Sequence, residues 1–267
     1  MTTGSLIFAY NNDDYDYLKM AQWSMKNIHR HLDIPVCVIT DAKNVSEYGF
    51  DKVIQVESPT TTHRYYTELE KSGDWHNGDR PNAYNLTPWD TTIVLDADYV
   101  VASDDLRSFY STNRHFLCHR QAYDLSFTTD TRSMNSFGKL STPMWWATVM
   151  IFDKSQESEM IFTLMNMVRN HWAHYHGIFE FERSTYRNDY ALSIALSTIL
   201  KSDAQYSAFP WNLATVMPTH DLEKVDTDHY RVTYKNSENK IKYVEVVNQD
   251  FHAMCKTKLG DIIASSS

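Results

Sequence analysis

The sequence predicts an α/β fold with a mixed, mainly parallel sheet flanked by helices and an antiparallel hairpin near the carboxyl terminus. Three observations predict it. Short apolar runs alternate with amphipathic segments through the first third of the chain. Those runs end at polar residues, the punctuation of βαβ units. Near the end, Tyr230-Arg231-Val232-Thr233-Tyr234 and Ile241 to Val247 flank Ser237-Glu238-Asn239 as two paired strands would. At 267 residues the chain suits one domain, 1–267.

The elements follow in order. Leu6-Ile7-Phe8-Ala9 is the first strand, and Asn11 to Asp14 turn the chain. Leu18, Ala21, Met25, Ile28 and Leu32 recur at the spacing of a helix face. Val36 to Ile39, ending at Thr40-Asp41, and Val53 to Val56, ending before Ser58-Pro59, read as short buried strands. The polar, aromatic stretch from Thr60 to Asp90 reads as a helix plus a long loop. Thr92 to Leu95 is a further strand, broken by Asp96-Ala97-Asp98, and Ser103-Asp104-Asp105 reads as the cap and acidic first turn of a helix. Residues 120–143 read as a surface loop, Ala147 to Phe152 as a strand. Two helices follow, from Ser155 to about Ala173 and from Asn188 to about Lys201.

Composition narrows the function classes. A formal charge of −9 gives no general attraction to nucleic acid, whose affinity comes mainly from Lys and Arg neutralising phosphates. A nucleic-acid partner would need a local basic face, for which Arg114, His115, His119, Arg120 and Arg132 are the candidates. Cys37, Cys118 and Cys255 lie far apart, never as C-x-x-C, which favours reduced thiols over a cysteine zinc site. No apolar run approaches the roughly 18 residues of a membrane span, and Leu6 to Ala9 is too short for a signal peptide. A cytoplasmic protein is expected.

The chemistry concentrates at Asp96-Ala97-Asp98. Two carboxylates one residue apart, just beyond a parallel strand, present hard oxygen ligands in the crevice where open α/β sheets bind ligands. The pattern alone is weak, since Asp14-Tyr15-Asp16 and Asp226-Thr227-Asp228 match it too. Only Asp96 and Asp98 follow an apolar strand. A strand-end turn of solvated acids is the alternative reading.

With these residues the chain resembles the GT-A nucleotide-diphospho-sugar transferases, especially the glycogenin and bacterial galactosyltransferase-like group, and small glycosyltransferases carried by bacteriophages. The resemblance rests on the opening strand into Asn11-Asn12, Val38 to Asp41, Ile93 to Asp98, Trp146 to Phe152, Arg187-Asn188-Asp189, and Phe251-His252 with Lys256, in the family's order along the chain. It implies a GT-A, Rossmann-like fold, with residues 1–112 as the nucleotide-sugar half and 113–267 as the acceptor-side half carrying a late metal ligand. It implies a manganese or magnesium ion at Asp96, Asp98 and His252, and a lysine contacting the diphosphate. Lys256 is that lysine, although the family usually has a glycine between the two and one more residue of spacing, which leaves Lys258 as its substitute. Phe8, Ala9 and Tyr10 match the loop around the nucleobase and ribose, Asp41 a further base or ribose contact, and Arg80 a basic residue near the diphosphate. Asp189 either caps its helix or faces the reacting sugar, and Trp145 and Trp146 are either a sugar platform or core.

The implied reaction moves a sugar from a nucleotide diphosphate sugar, UDP-linked by preference, to a hydroxyl acceptor. Asp189 is the leading base if the stereochemistry inverts. Retention is slightly favoured, with Asp189 then positioning a substrate. The acceptor is a saccharide or, following the phage-like members, a hydroxymethylated base in DNA. Two other classes stay open. A nucleotidyltransferase would normally carry a Gly-rich phosphate loop near the amino terminus, which Phe8-Ala9-Tyr10-Asn11-Asn12 does not supply, and a sugar- or nucleotide-binding module would have no need of Asp96, Asp98 and His252 together.

Overall fold

A computed structural model describes residues 2–57, 59, 61–131, 135–181 and 185–266, and for Arg64 and Asn77 the backbone alone. β1 (Thr3–Phe8) leads to a turn tied by side chains: Asn12 Oδ1 accepts from the amides of Asp14 and Tyr15, and Asn11 Oδ1 from that of Leu18. α1 (Tyr17–Leu32) starts under Asp16, whose carboxylate accepts from the Lys19 amide, and it buries Leu18, Ala21, Met25, Ile28 and Leu32 as their spacing predicts. β2 (Val36–Thr40) is buried throughout. β3 (Lys52–Gln55) is a correction. It is the sheet's edge, and Val53 is 38% exposed rather than buried.

The expected helix after Thr60 is instead an antiparallel hairpin, β4 (Thr62–Tyr66) and β5 (Lys71–Trp75). Tyr65, Tyr66 and Trp75 suit strands, and Pro81 confines the following Asn77–Asn82 segment to a 3₁₀ run before the single turn of α2 (Ala83–Leu86). β6 (Thr91–Leu95) is fully buried and β7 (Tyr99–Val100) follows the acidic turn. The helix expected after Ser103 is instead a 3₁₀ run, Asp105–Phe109, whose cap position is Asp104 and carries no side-chain capping bond, although Ser103 Oγ accepts from the Asp105 amide.

β8 (Phe116–His119) is followed, within the stretch read as loop, by β9 (Ala122–Asp124) and a small pair, β10 (Ser136–Phe137) and β11 (Thr142–Pro143). Then come β12 (Trp146–Asp153), α3 (Gln156–Asn170), α4 (Trp172–Phe179) and α5 (Asn188–Ile199). The last part holds β13 (Leu213–Val216), β14 (Asp221–Asp226), β15 (His229–Lys235), β16 (Ile241–Val247), β17 (Phe251–Ala253) and α6 (Lys256–Ser265).

The central sheet runs β3-β2-β1-β6-β12-β8. Its first four strands are mutually parallel, and β12 is antiparallel to both neighbours, so the sheet is mixed and mainly parallel. The expected hairpin is β15 with β16, turned on Asn236, whose Oδ1 accepts from the Glu238 and Lys240 amides. β14 extends it to three strands. Its sequence, Asp221-Leu222-Glu223-Lys224-Val225-Asp226, is dominated by charge and carries little strand signal.

A second sheet, β7-β17-β13-β9, positions the site. β6 and β7 are joined by Asp96-Ala97-Asp98, and β17 pairs antiparallel with β7, placing His252 opposite Tyr99. Carboxyl-terminal residues are thereby drawn to the carboxyl end of a central strand, where open α/β sheets hold ligands. Buried apolar residues form one cluster running through both sheets. No helix among the described residues is long and apolar enough to cross a membrane.

Candidate active site

At the end of β6 the chain leaves the sheet in a tight turn. The Asp96 amide donates to Thr148 O on β12 at 3.0 Å, and the Tyr99 amide donates back to Asp96 O at 3.0 Å. That turn presents both carboxylates. Asp96, Asp98 and His252 offer ligand atoms that lie within 4.8 Å of one another, and all three line a cleft of about 820 Å³. Phe8, Tyr10, Arg80, Asp189 and Lys256 line the same cleft.

Two cations hold the acids. Arg80 is 2% exposed, pairs with Asp96, and donates from Nη1 to Ala147 O at 2.5 Å. Lys256, the first residue of α6, donates to Asp98, and His252 Nε2 lies 3.4 Å from Asp98 Oδ1. Burial raises the pKa of Asp98, but Lys256 and then His252 outweigh it and hold the carboxyl well below the usual carboxylate range. The acid is therefore ionised.

The three residues fit a divalent ion. Two carboxylates and an imidazole are an acceptable donor set for manganese or magnesium. His252 keeps Nε2 on the side of Asp98, while its buried Nδ1 has no hydrogen-bond partner among the described residues. Lys258, the substitute for Lys256, points elsewhere and pairs with Asp221 on β14 at 2.8 Å.

The remaining residues divide. Phe8 and Tyr10 line the cleft, and the Tyr10 hydroxyl is buried with no hydrogen-bond partner among the described residues. Burial, and then the charges of Asp79 and Asp41, push that phenol above its ordinary range. Ala9 is fully buried, donates its amide to Ile39 O at 2.9 Å, and lies outside the cleft lining. Asp41 is exposed and likewise outside it. Trp146 lines the cleft, whereas Trp145 packs in the core.

Asp189 lies in the first turn of α5 and is committed on both oxygens. Oδ1 accepts from the Ala147 amide at 2.9 Å, and Oδ2 accepts from Arg187 Nε and Nη2 at 3.1 and 2.6 Å. Burial raises its pKa, yet Arg187 and the Ala147 amide outweigh it, so the carboxyl stays below its ordinary value. Arg187, quoted from the sequence beside Asp189, lines the cleft too, and so do Tyr17, Tyr123, Thr215 and Met217, which were not singled out from sequence. Thr215 is ordinary strand sequence and arrives through the β13–β17 pairing, which leaves no local signal.

The other two D-x-D matches are structural. Asp14 pairs with Lys71 and Asp16 caps α1. Asp228 stands at the β14–β15 turn, at φ 56°, and binds Arg30 and His31. The basic residues grouped in sequence also separate. His115 pairs with Asp153, at the opposite end of β8 and β12 from His119 and Trp146. Arg120 donates to Asn135 O and Met144 O, and Arg114 lies over Tyr206, while Arg132 falls outside the described residues.

His119 supplies no basic face, because it is 1% exposed and burial, with a smaller contribution from His252, lowers its pKa from 6.5 to about 3. It is neutral in the fold and charges on unfolding. The unfolded chain therefore binds more protons between pH 6.5 and about 3, and stability falls as pH drops through that window. His119→Phe is expected to lose clearly less stability than the parent between pH 7.5 and 5 in urea unfolding. Parallel losses in the two proteins would refute the role of His119.

No family model matches the chain, and no curated protein matches it. Among solved structures it is similar to the apo-form glycosyltransferase GlyE of Streptococcus pneumoniae TIGR4, at 14% identity over 78% of this chain and 45% of that one, with a TM-score of 0.42. It is similar also to the galactosyltransferase LgtC in complex with donor and acceptor sugar analogs, at 15% identity over 72% of this chain and 70% of that one, with a TM-score of 0.43. This chain thus spans less than half of GlyE.

Proposed function

We propose that this chain is a metal-dependent glycosyltransferase of the GT-A type, moving a sugar from a nucleotide diphosphate sugar to a hydroxyl acceptor. What carries this reading is the convergence of Asp96, Asp98 and His252, from two distant parts of the chain, on one cleft that also holds Lys256 and Arg80. A cleft of about 820 Å³ is of the size that takes a cofactor-sized ligand. The preference for a UDP-sugar follows from the family resemblance, and Phe8 and Tyr10 would line the base and ribose.

Transfer breaks the bond between the anomeric carbon and the β-phosphate oxygen and forms one from that carbon to the acceptor oxygen, whose proton passes to the departing diphosphate as negative charge grows there. Asp96, Asp98 and His252 would hold a divalent ion, which would supply Lewis-acid stabilisation of that charge. Lys256 adds a fixed ammonium beside the same acids. Arg80 keeps the Asp96 carboxylate aimed into the cleft and ties it to Ala147 O. We read Asp189 as a positioning residue, because a carboxylate held below its ordinary pKa by Arg187 is a weak proton acceptor at neutral pH. That supports retention over inversion.

The test is release of nucleotide diphosphate by the purified protein with manganese and UDP-glucose, UDP-galactose, UDP-N-acetylglucosamine or GDP-mannose. Release from at least one donor, stopped by EDTA and restored by manganese, is expected. Absence of metal-dependent release from every donor, with saccharides or hydroxymethylated duplex added as acceptors, overturns the proposal.

A further inference from the structure

We infer that Tyr123 and Phe127 form a stacking platform for the ring of a neutral saccharide acceptor at the mouth of the cleft. This deepens the glycosyl-transfer reading and rests on it for the word acceptor. Phe127 is 80% exposed, yet its ring stacks on that of Tyr123 with centroids 5.7 Å apart and planes 24° apart. Tyr123 lines the cleft, and its hydroxyl accepts from Gln249 Nε2 at 2.8 Å. One ring is thus part of the wall. The other continues it into solvent.

The Phe127 backbone is built at a cost. Its φ is 55°, in the left-handed region that a bulky side chain rarely adopts. A carboxylate beneath enforces it. Asp124 is 1% exposed and accepts from the Ser126 amide and hydroxyl, the Thr128 hydroxyl and the Thr129 amide at 2.7–3.2 Å. The Phe127 amide donates to Asp124 O at 2.9 Å, and buried Leu125 donates its amide to Thr215 O at 3.0 Å. Asn or Gly would suit this backbone, and a ring so exposed returns little burial. A strained turn that presents an aromatic face at a cleft mouth suits contact with a ligand better than it suits the fold.

The surroundings select the ligand class. Thr131, Thr219, Pro218 and Met217 share the cleft wall with Tyr123, a mixture of hydroxyls and apolar surface without formal charge. Aromatic faces are electronegative and attract the C–H face of a sugar ring, while the hydroxyls of Thr131 and Thr219 match its edges. β9 is separated from β17 by β13 alone, so the platform strand runs roughly 10 Å, two strand spacings, from the strand of His252. An extended acceptor seated on the platform would reach the metal site.

Saturation-transfer NMR tests this with the methyl glycosides of glucose, galactose, N-acetylglucosamine and mannose. Phe127→Asn removes the ring and suits the left-handed backbone, and Phe127→Tyr keeps a ring. At least one glycoside is expected to bind the parent and Phe127→Tyr alike, and Phe127→Asn about tenfold more weakly. The thermal midpoint of Phe127→Asn should be unchanged or higher. Manganese-UDP affinity, read by calorimetry, should be equal in all three. Binding of no glycoside, or binding equally tight in Phe127→Asn, overturns the platform. So does Phe127-dependent binding confined to a duplex carrying 5-hydroxymethylcytosine. If the glycosides bind through Phe127 while manganese-UDP does not bind the parent, the platform stands and the donor reading falls.

Discussion

Asp98→Asn is expected to lower metal-dependent kcat by about 10³-fold, on the order of 4 kcal/mol of transition-state stabilisation. The substitution keeps the shape of the side chain and removes its charge. Asp98 sits between Lys256 and His252, 4% exposed, and touches both of them. Without its charge the donor set falls to one carboxylate and one imidazole, while the Lys256 ammonium stays nearby and repels a divalent ion. Manganese affinity read by calorimetry should fall together with kcat. Lys256 is at the cleft wall rather than sealed in the core, so the fold should survive, with circular dichroism matching the parent. Parent-level turnover in Asp98→Asn removes the metal role of this residue.

Arg80→Met is expected to cost about 3–5 kcal/mol of stability, the usual penalty for removing one partner of a buried ion pair. For a chain of this length that lowers the thermal midpoint by about 10 °C. The guanidinium is buried, and its Nε finds no hydrogen-bond partner among the described residues, so its place rests on Asp96 and Ala147 O. Methionine fills much of the volume and leaves Asp96 without that counter-charge. A divalent ion is then the natural replacement. Manganese should raise the midpoint of Arg80→Met by more than it raises that of the parent. A midpoint within about 2 °C of the parent, or no added response to manganese, would show that Arg80 does not hold the site together.

The elements legible in the sequence were those whose signal is local. β1, β2 and β6 are unbroken apolar runs because both faces of a central strand are covered. α1 repeats apolar residues every three or four positions because one stripe of it is buried. The misread segments lack such a signal. β3 is an edge strand, β14 is mostly charged, and the β4–β5 hairpin stands outside the central sheet, so none has the apolar alternation of a half-buried strand.

The site divides in the same way. By itself the sequence determined that two acids, Asp96 and Asp98, follow the buried strand β6, since strand and turn are written in neighbouring residues. Only the tertiary structure decided which partners they have. His252 reaches them through the β17–β7 pairing, a contact between residues more than 150 positions apart that no local pattern encodes. Lys256 and not Lys258 faces the acids because residues two apart on α6 point about 200° around the helix axis from one another, one toward Asp98 and the other toward Asp221. Asp189 was a choice between cap and reactant until Arg187 and the Ala147 amide closed around it. The same long-range packing separated the three D-x-D matches, since a carboxylate's role is set by the charges and donors that folding brings within a few ångströms.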